Sequence, residues 1–347
     1  MLLNTIDAPR SEAELDELLS APTPETVEAV SRLEGDLLLL GAGGKMGSSL
    51  ARLAKRSIEA AGLGNRVICV SRFGGGDVAA RLRDDDIETV SADLLDREQL
   101  AAVPDAPNVV YLAGFKFGAS AAPHRTWALN ALLPALVAER FSDARVVALS
   151  TGNVYPQVPV AAGGATEHTP PAPVGEYAQS CLARERMFEY MAETHGTRSV
   201  LIRLNYATDL RYGVLVDVAG KVFRGEPVDL TMGWINTIWQ GDANAVLLRA
   251  FELAAAPPDI LNVTGPELIS VREAALELAS LLGRPEPLFT GSEAETALLN
   301  DAGRCLQLYG APRVPAGRLL EWTAAWVADD LPTLGKPTHF ETRDGRF

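Results

Sequence analysis

Short apolar runs alternate with helical patterns along the first 205 residues. Residues 36–41 read Asp-Leu-Leu-Leu-Leu-Gly, a continuous apolar run of the kind found in strands that are buried on both faces. Similar runs follow at residues 66–70, 89–90, 108–112, 145–150 and 198–203, and helical patterns separate most of them. The alternation predicts an α/β fold with a doubly wound, mainly parallel sheet.

The two ends of the chain lack this alternation. Residues 1–35 form a polar lead-in with two predicted helices, one over residues 11–19 and one that begins at Pro24 with Thr23 as its N-cap. After Asn205 the pattern loosens, and helices are predicted at about 242–255, 270–283 and 316–329. Residues 332–347 have no periodicity, and we expect this tail to wrap the domain or a neighbour.

Composition and charge exclude several classes of protein. The 347 residues are 47% hydrophobic and 22% charged, which is ordinary for a globular chain and excludes a disordered one. A net charge of −14 argues against a nucleic-acid partner, because binding phosphates along a polymer needs a basic face. Three scattered cysteines and four histidines without ligand spacing predict neither a disulfide framework nor a metal site.

The chain shows no targeting or membrane signal. Its first residues lack a basic region followed by an apolar core, so no signal peptide is expected. No apolar run approaches the length of a membrane span, so no membrane partner is expected either. The expected location is the cytoplasm.

A glycine-rich loop joins the first predicted strand to the first predicted helix. Its glycines have the spacing G-x-x-G-x-x-G, with Gly43 as an additional glycine. Such a loop lets the backbone approach a pyrophosphate, while the helix N-terminus supplies N–H groups and a partial positive charge. In this strand–loop–helix context the motif predicts a dinucleotide site in a Rossmann-type domain, formed by Gly41, Gly44, Lys45, Met46 and Gly47.

The end of the second strand bears on the choice of cofactor. Chains that bind NAD usually place an acidic residue there, which bonds the ribose 2′-hydroxyl. This chain has Ser71 and Arg72 instead. A hydroxyl and a cation suit a 2′-phosphate, so the sequence favours NADP over NAD, although Arg72 could also be an ordinary surface arginine.

Further motifs follow the glycine loop in a fixed order. They are Ala92-Asp93-Leu94-Leu95-Asp96, Val110-Tyr-Leu-Ala-Gly-Phe-Lys116, a helical Asn130, Ser150-Thr151-Gly-Asn-Val-Tyr155, Glu167 with Pro170 before Tyr177, Gln240-Gly-Asp-Ala-Asn-Ala245, and Leu261-Asn-Val-Thr-Gly265 before Ser270. From about residue 36 to residue 330, this ordered set resembles the extended short-chain dehydrogenase/reductases, the NAD(P)-dependent sugar epimerase/dehydratase family.

The resemblance implies hydride transfer and assigns roles to individual residues. In the family a tyrosine exchanges a proton with a substrate hydroxyl, and Tyr177 matches that tyrosine. Thr151 matches the hydroxyl that orients the substrate, and Lys116 lies in a motif close to the cofactor. The other cofactor contacts that the resemblance implies are at Asp93, Leu94, Ala113, Gly114, Asn130 and Cys181.

Cys181 departs from the family pattern. The family has a lysine four residues after the tyrosine, which lowers the pKa of the phenol and holds the ribose. Three consequences stay open: another cation, Lys116 or Arg184, replaces the lysine; the charge of the nicotinamide suffices for slow chemistry; or the protein binds a dinucleotide without turnover. Cys181 itself is expected to be a small buried spacer rather than a nucleophile.

Two arginines that bind the substrate diphosphate in relatives are also missing. One position falls on Ile235, and the other falls in the acidic segment 291–295. Because a buried pyrophosphate without counter-charges is costly, we expect a small carbohydrate (a free sugar, sugar acid, lactone or polyol) rather than a nucleotide sugar. The candidate substrate-binding residues are Thr151, Asn153, Asn205, Arg211 and Asn236.

These observations predict an NAD(P)-dependent oxidoreductase or epimerase; the alternative is a dinucleotide-binding sensor or scaffold with little or no turnover. The predicted domains are a helical extension (1–35), a dinucleotide-binding Rossmann domain (36–205 and about 236–264), a smaller α/β substrate lobe (206–235 and 265–331) and the tail (332–347). The resemblance also implies a homodimer, formed through the helices predicted at about 124–141 and 176–194.

Overall fold

The computed structural model describes residues 7–74, 77–116 and 118–346. The first six residues of the predicted lead-in and the last residue of the predicted tail lie outside the described residues. The helices are α1 (Glu12–Leu19), α2 (Pro24–Ser31), α3 (Gly47–Ala60), α4 (Val78–Asp84), α5 (Arg97–Ala102), α6 (Pro123–Trp127), α7 (Leu133–Arg140), α8 (Gly175–His195), α9 (Val214–Arg224), α10 (Gln240–Arg249), α11 (Val271–Leu281), α12 (Gly303–Tyr309) and α13 (Ala316–Ala328).

The strands include long ones that form the main sheet and two-residue ones that pair elsewhere. They are β1 (Leu37–Leu40), β2 (Val67–Ser71), β3 (Glu88–Ser91), β4 (Asn108–Tyr111), β5 (Arg145–Thr151), β6 (Val158–Pro159), β7 (Arg198–Leu204), β8 (Ala207–Thr208), β9 (Val228–Asp229), β10 (Trp234–Ile235), β11 (Ile238–Trp239), β12 (Asp259–Val263), β13 (Ile269–Ser270), β14 (Phe289–Thr290) and β15 (Thr296–Ala297). The six strands predicted from apolar runs are present, each within one residue of its predicted ends.

Seven parallel strands form the main sheet in the order β12-β7-β5-β4-β1-β2-β3. From β1 the chain first builds outward to β2 and β3, then crosses to β4 on the other side of β1. Ligands of such sheets bind at the carboxyl ends of the strands, where the order reverses. The predicted α/β fold with a doubly wound parallel sheet is confirmed.

The leucines of β1 explain how the sheet is held. Leu37 and Leu39 pack into a core with α3 and α10, whereas Leu38 and Leu40 pack into a core with α5, α7 and α8 on the opposite face. Successive side chains of a strand point to opposite faces, so a strand covered on both sides is apolar throughout. Each fully buried leucine stabilises the fold by about 1.5–3 kcal/mol.

A third core gathers α9, α11 and α13 with both ends of the described chain. Leu15 of α1 and Phe340 of the tail are buried in it. The predicted lead-in helices are present, and the Thr23 hydroxyl caps α2 by accepting the Thr26 N–H. The tail therefore packs on its own chain. In the described ranges, no helix is long and apolar enough to cross a membrane.

Candidate functional site

The glycine loop occupies the turn between β1 and α3, at the point where the strand order reverses. Gly41 has a φ of +89°, and a Cβ atom there would lie 2.6 Å from the backbone nitrogen of Ala113. A Cβ atom on Gly47 would overlap the carbonyl oxygen of Ala42. Glycine is therefore a steric requirement at both positions. The α3 N-terminus has no side-chain cap, so its N–H groups suit an anion.

A first cavity, of about 560 Å³, extends from this loop across the ends of β2 and β4. Ser71 and Arg72 are among its polar lining residues, and Arg72 is exposed. The predicted cofactor residues that line it are Gly41, Gly44, Ser71, Arg72, Asp93, Leu94, Ala113 and Gly114. A glycine cradle, a helix N-terminus and a carboxylate around one cavity fit a dinucleotide.

A second cavity, of about 170 Å³, contains the predicted catalytic residues. The predicted residues that line it are Lys45, Met46, Lys116, Thr151, Asn153, Tyr177 and Asn205. Tyr206 and Thr338 also line it and were missed by the sequence analysis. Thr338 belongs to the tail, and no motif marks it, because only the tertiary fold brings it here.

The tail is held at the cavity by two contacts. The backbone N–H of Thr338 donates to the Asp217 carboxylate of α9 over 2.7 Å, and its hydroxyl donates to the same oxygen over 2.5 Å. Farther on, Gly345 packs so tightly on Gly175 that a Cβ atom on either glycine would overlap the neighbouring backbone. Gly175 begins α8, the helix that carries Tyr177. The tail thus contacts the element that positions the phenol.

Tyr177 and Thr151 form the reactive pair of the second cavity. Thr151 ends β5, Tyr177 lies in the first turn of α8, and both side chains line the second cavity. The Thr151 hydroxyl also donates to the amide oxygen of Asn153 over 3.0 Å and accepts the Asn153 backbone N–H over 3.2 Å. Two hydroxyls and an amide therefore converge where a substrate oxygen could bind.

Burial sets the protonation state of the Tyr177 phenol. It raises the pKa of the Tyr177 phenol well above its usual range; the Cys181 thiol adds to the rise, while Arg184 and the hydrogen bond with Thr151 oppose it. The phenol is consequently protonated at neutral pH. In this arrangement Tyr177 is a proton donor, and it needs a nearby cation to act as a base.

The two candidate replacement cations occupy different positions. The Lys116 Nζ atom lies 5.7 Å from the centroid of the Tyr177 ring and lines the cavity, and burial lowers the pKa of its amine to about 8. Arg184 is buried and does not line the cavity; it donates to the Asn130 amide oxygen over 3.1 Å and to the Leu149 carbonyl. Lys116 can therefore touch a ligand, whereas Arg184 acts on the phenol only through its charge.

Cys181 and Asn130 line neither cavity. Cys181 is fully buried, and burial raises the pKa of its thiol. Asn130 lies in a π-helical turn, Ala128–Leu132, and braces the loop after β4 by accepting the Phe115 N–H over 2.8 Å and donating to the Phe115 carbonyl over 2.9 Å. Both residues were predicted as cofactor contacts. The structure instead places them behind the wall, where the Asn130 amide already has partners.

Arg211 and Asn236, two predicted substrate contacts, do not line the second cavity. The Arg211 guanidinium is ion-paired with Asp209 at 2.9 Å and with Asp16 at 3.0 Å. Asn236 is buried, accepts from the Asn205 amide over 2.9 Å and donates to the Asn300 carbonyl over 2.6 Å. Their polar groups hold neighbouring loops in place, so the structure does not bring them to a substrate.

No arginine is found in the wall of this cavity within the described chain. Ile235 is buried in β10, paired with Ile269 of β13. In the acidic segment 291–295, Glu293 is ion-paired with Arg272. The two positions at which relatives would place diphosphate-binding arginines thus supply no cation here.

A buried ion pair lies directly behind the reactive pair. Glu185 of α8 is 0% exposed and Arg203 of β7 is 2% exposed; their closest oxygen–nitrogen distance is 2.6 Å. Glu185 also accepts from the hydroxyl of Ser150, the residue before Thr151, over 2.6 Å. Arg203 donates to the Tyr155 hydroxyl over 2.7 Å. This network joins α8, β5 and β7 beneath Tyr177 and Thr151.

The chain is similar to known proteins in sequence and in fold. Residues 37–207 match the model of the NAD dependent epimerase/dehydratase family. No curated protein matches the chain. Similar solved structures include the UDP-glucose 4-epimerase of Thermotoga maritima, with UDP-glucose, at a TM-score of 0.70 and 19% identity over 85% of this chain and 99% of that one.

Two further solved structures were determined with NAD. The dTDP-glucose 4,6-dehydratase of Bacillus anthracis has a TM-score of 0.70 and 16% identity, over 85% of this chain and 96% of that one. The UDP-glucuronic acid 4-epimerase of Bacillus cereus has a TM-score of 0.68 and 16% identity, over 84% of this chain and 98% of that one. At these identities the likeness shows the shared fold.

Proposed function

Because the chain belongs, through residues 37–207, to the NAD-dependent epimerase/dehydratase family, we propose that it is an NAD(P)-dependent oxidoreductase or epimerase of a small carbohydrate. The substrate is a free sugar, a sugar acid, a lactone or a polyol. The observation that carries the proposal is that Tyr177 and Thr151 line one small cavity together with Lys45 and Met46 of the glycine loop.

The size and lining of the second cavity support a small substrate. Its volume is about 170 Å³, its wall has no arginine in the described chain, and Thr338 of the tail forms part of it. The solved relatives are named for nucleotide sugars, which makes a nucleotide sugar the competing substrate class. A diphosphate would need cations at positions where this chain has Ile235 and an acidic segment.

The first cavity would hold the nicotinamide dinucleotide, which supplies or accepts the hydride when it is bound. Gly41, Gly44 and Gly47 would admit its pyrophosphate, and Asp93 would accept from its adenine. The family description and two relatives name NAD. Ser71 and Arg72 at the end of β2 support a site for a 2′-phosphate, so NADP is our proposed preference.

The side chains of the second cavity would move the proton. The Thr151 hydroxyl would orient the substrate oxygen, and the Tyr177 phenol would donate its proton to that oxygen during reduction. In the oxidative direction the phenolate has to form first. The ammonium of Lys116 would stabilise it in place of the lysine that Cys181 replaces.

The same proposal assigns roles to the parts of the chain. Residues 36–205, with about 236–264, would form the cofactor lobe, and residues 206–235 with 265–331 the substrate lobe. A homodimer is supported by three exposed apolar side chains on adjacent helical elements, Trp127, Leu132 and Tyr190. Solvent-exposed aromatic side chains such as Trp127 and Tyr190 are common at protein interfaces.

We expect the purified protein to bind NADPH more tightly than NADH when the fluorescence of each reduced cofactor is titrated. Turnover of a panel of sugars, sugar acids, lactones, polyols and UDP-glucose is then measured for each compound through the change in absorbance of the cofactor. Turnover of a small carbohydrate supports the proposal. Binding of neither dinucleotide, or faster turnover of UDP-glucose, overturns it. Dinucleotide binding without turnover of any compound favours the sensor or scaffold.

Replacing Lys116 with methionine should lower the oxidative rate by about tenfold or more, because the charge that stabilises the phenolate is lost. Burial lowers the pKa of the Lys116 amine to about 8, so its positive charge is present below that pH and is lost above it. The wild-type pH–rate profile should show this ionisation, and the profile of Lys116→Met should lack it.

Lys55→Met is the matched control, since Lys55 is ion-paired with the exposed Asp86 and lines neither cavity. An unchanged rate and pH profile for Lys116→Met would show that Lys116 does not replace the family lysine, and would leave Arg184 or the charge of the nicotinamide in that role.

A further inference from the structure

The second cavity is cationic in an acidic chain. The chain carries 45 acidic and 31 basic residues, yet among the described residues the cavity wall contains two lysines and no aspartate or glutamate. Lys116 is already explained by its position beside Tyr177. Lys45 is not used by the proposed proton transfer, so its place in the wall needs a separate explanation.

Lys45 extends from the glycine loop toward the second cavity. Its Nζ atom donates to the carbonyl oxygen of Ala207 over 2.8 Å and lies 4.2 Å from the centroid of the Tyr212 ring. The carbonyl uses one of its three protons, and the ring stabilises the cation through its face. These contacts fix the amine at the cavity wall, close to the β7–β8 connection.

The acid whose charge acts on Lys45 already has a partner. Asp209 attracts the Lys45 amine, but the Arg211 guanidinium binds both oxygens of this carboxylate, at 3.1 Å and 2.9 Å, and Asp209 does not line the cavity. Burial lowers the pKa of the Lys45 amine to about 7, and the charge of Lys116 adds to the lowering. An anion in the cavity would raise the pKa of both amines again, because it stabilises their charged ammonium forms.

We propose that Lys45, assisted by Lys116, binds a carboxylate of the substrate, so that the enzyme selects sugar acids over neutral sugars. This inference rests on the proposed function, whose substrate class it narrows. The carboxylate would lie between the two amines, and the hydroxyl that reacts would face Thr151 and Tyr177. A cavity of about 170 Å³ has room for one such small acid.

The test measures binding and turnover separately. Gluconate, glucuronate, glucose and glucose 6-phosphate are titrated into the protein saturated with oxidised cofactor, by calorimetry, and each is then assayed for turnover. We expect both carboxylates to bind at least about tenfold more tightly than glucose, because a charge-assisted hydrogen bond is lost with the neutral sugar. Tighter binding of glucose 6-phosphate than of the carboxylates overturns the assignment to a carboxylate.

Two variants test Lys45 itself. Lys45→Gln keeps a donor for the Ala207 carbonyl without the charge, and Lys45→Met removes both. Each should weaken gluconate binding by about tenfold or more, while the affinity for glucose stays within about twofold. The affinity for NADPH should also stay within about twofold, because Lys45, although predicted as a cofactor contact, lines the second cavity and not the first. A parallel loss of NADPH affinity would overturn the inference, because Lys45 would then be holding the pyrophosphate of the cofactor.

Failure of this inference and failure of the proposed function give different results. Turnover of neutral sugars with no preference for acids overturns the carboxylate site and leaves the proposed function standing. Binding of gluconate that depends on Lys45, without turnover of any compound, supports the anion site and overturns the enzymatic function.

Discussion

Replacing Tyr177 with phenylalanine should lower the turnover number by about 10²–10⁴-fold and leave dinucleotide affinity unchanged. The variant removes one oxygen atom and keeps the aromatic ring that packs against the third core. The lost rate therefore reports the lost proton transfer rather than a lost fold. Steady-state kinetics on the best substrate of the panel, with an NADPH titration, measures both quantities.

Tyr190→Phe provides the matched control on the same helix. Its hydroxyl belongs to a side chain that is 55% exposed, and it lies outside both cavities. Its rate should equal that of the wild type. Because burial raises the pKa of the Tyr177 phenol, its ionisation should not change the rate of reduction with pH near neutrality, and should lower that rate only in alkaline solution. Wild-type turnover by Tyr177→Phe would remove the phenol from the mechanism.

The largest stability loss is expected from Glu185→Gln, at about 3–5 kcal/mol of the free energy of unfolding. The variant leaves the Arg203 guanidinium buried without its counter-ion. It also weakens the hydrogen bond that holds Ser150, next to Thr151. Equilibrium unfolding in urea measures the difference.

Glu189→Gln, one turn farther along α8, is the comparison. Glu189 pairs with Arg186 at the surface, where an ion pair contributes about 0–1 kcal/mol. The double variant Glu185→Leu with Arg203→Met should recover much of the lost stability, since it removes both buried charges together. Equal losses for Glu185→Gln and Glu189→Gln would show that burial of the pair is energetically unimportant.

The fold was predictable because its signals are local. A strand such as β1, covered on both faces, has to be apolar at every position, and the Thr23-Pro24 pair places a helix start without reference to the rest of the chain. The glycine loop was predictable for the same reason: its steric requirements at Gly41 and Gly47 come from the backbone beside it.

The environment of the site was less predictable, because it depends on contacts between distant segments. The pairing of Glu185 with Arg203 requires α8 to lie over β7. No residue spacing in the sequence predicts which side chains of this helix and this strand meet. Arg211 has the chemistry of a ligand-binding residue, but Asp209 and Asp16 already bind it. Asn130 was found through a motif, yet its hydrogen bonds brace a loop rather than face a ligand.

The route of the tail has a consequence for the biosynthesis of the protein. Thr338 forms part of the wall around Tyr177, and Gly345 packs on the first residue of α8. The main sheet and the glycine loop are complete once β12 has been translated, at Val263. A nascent chain can therefore form its cofactor cavity on the ribosome, whereas the wall of the reactive cavity is completed only after Thr338 has emerged from the exit tunnel.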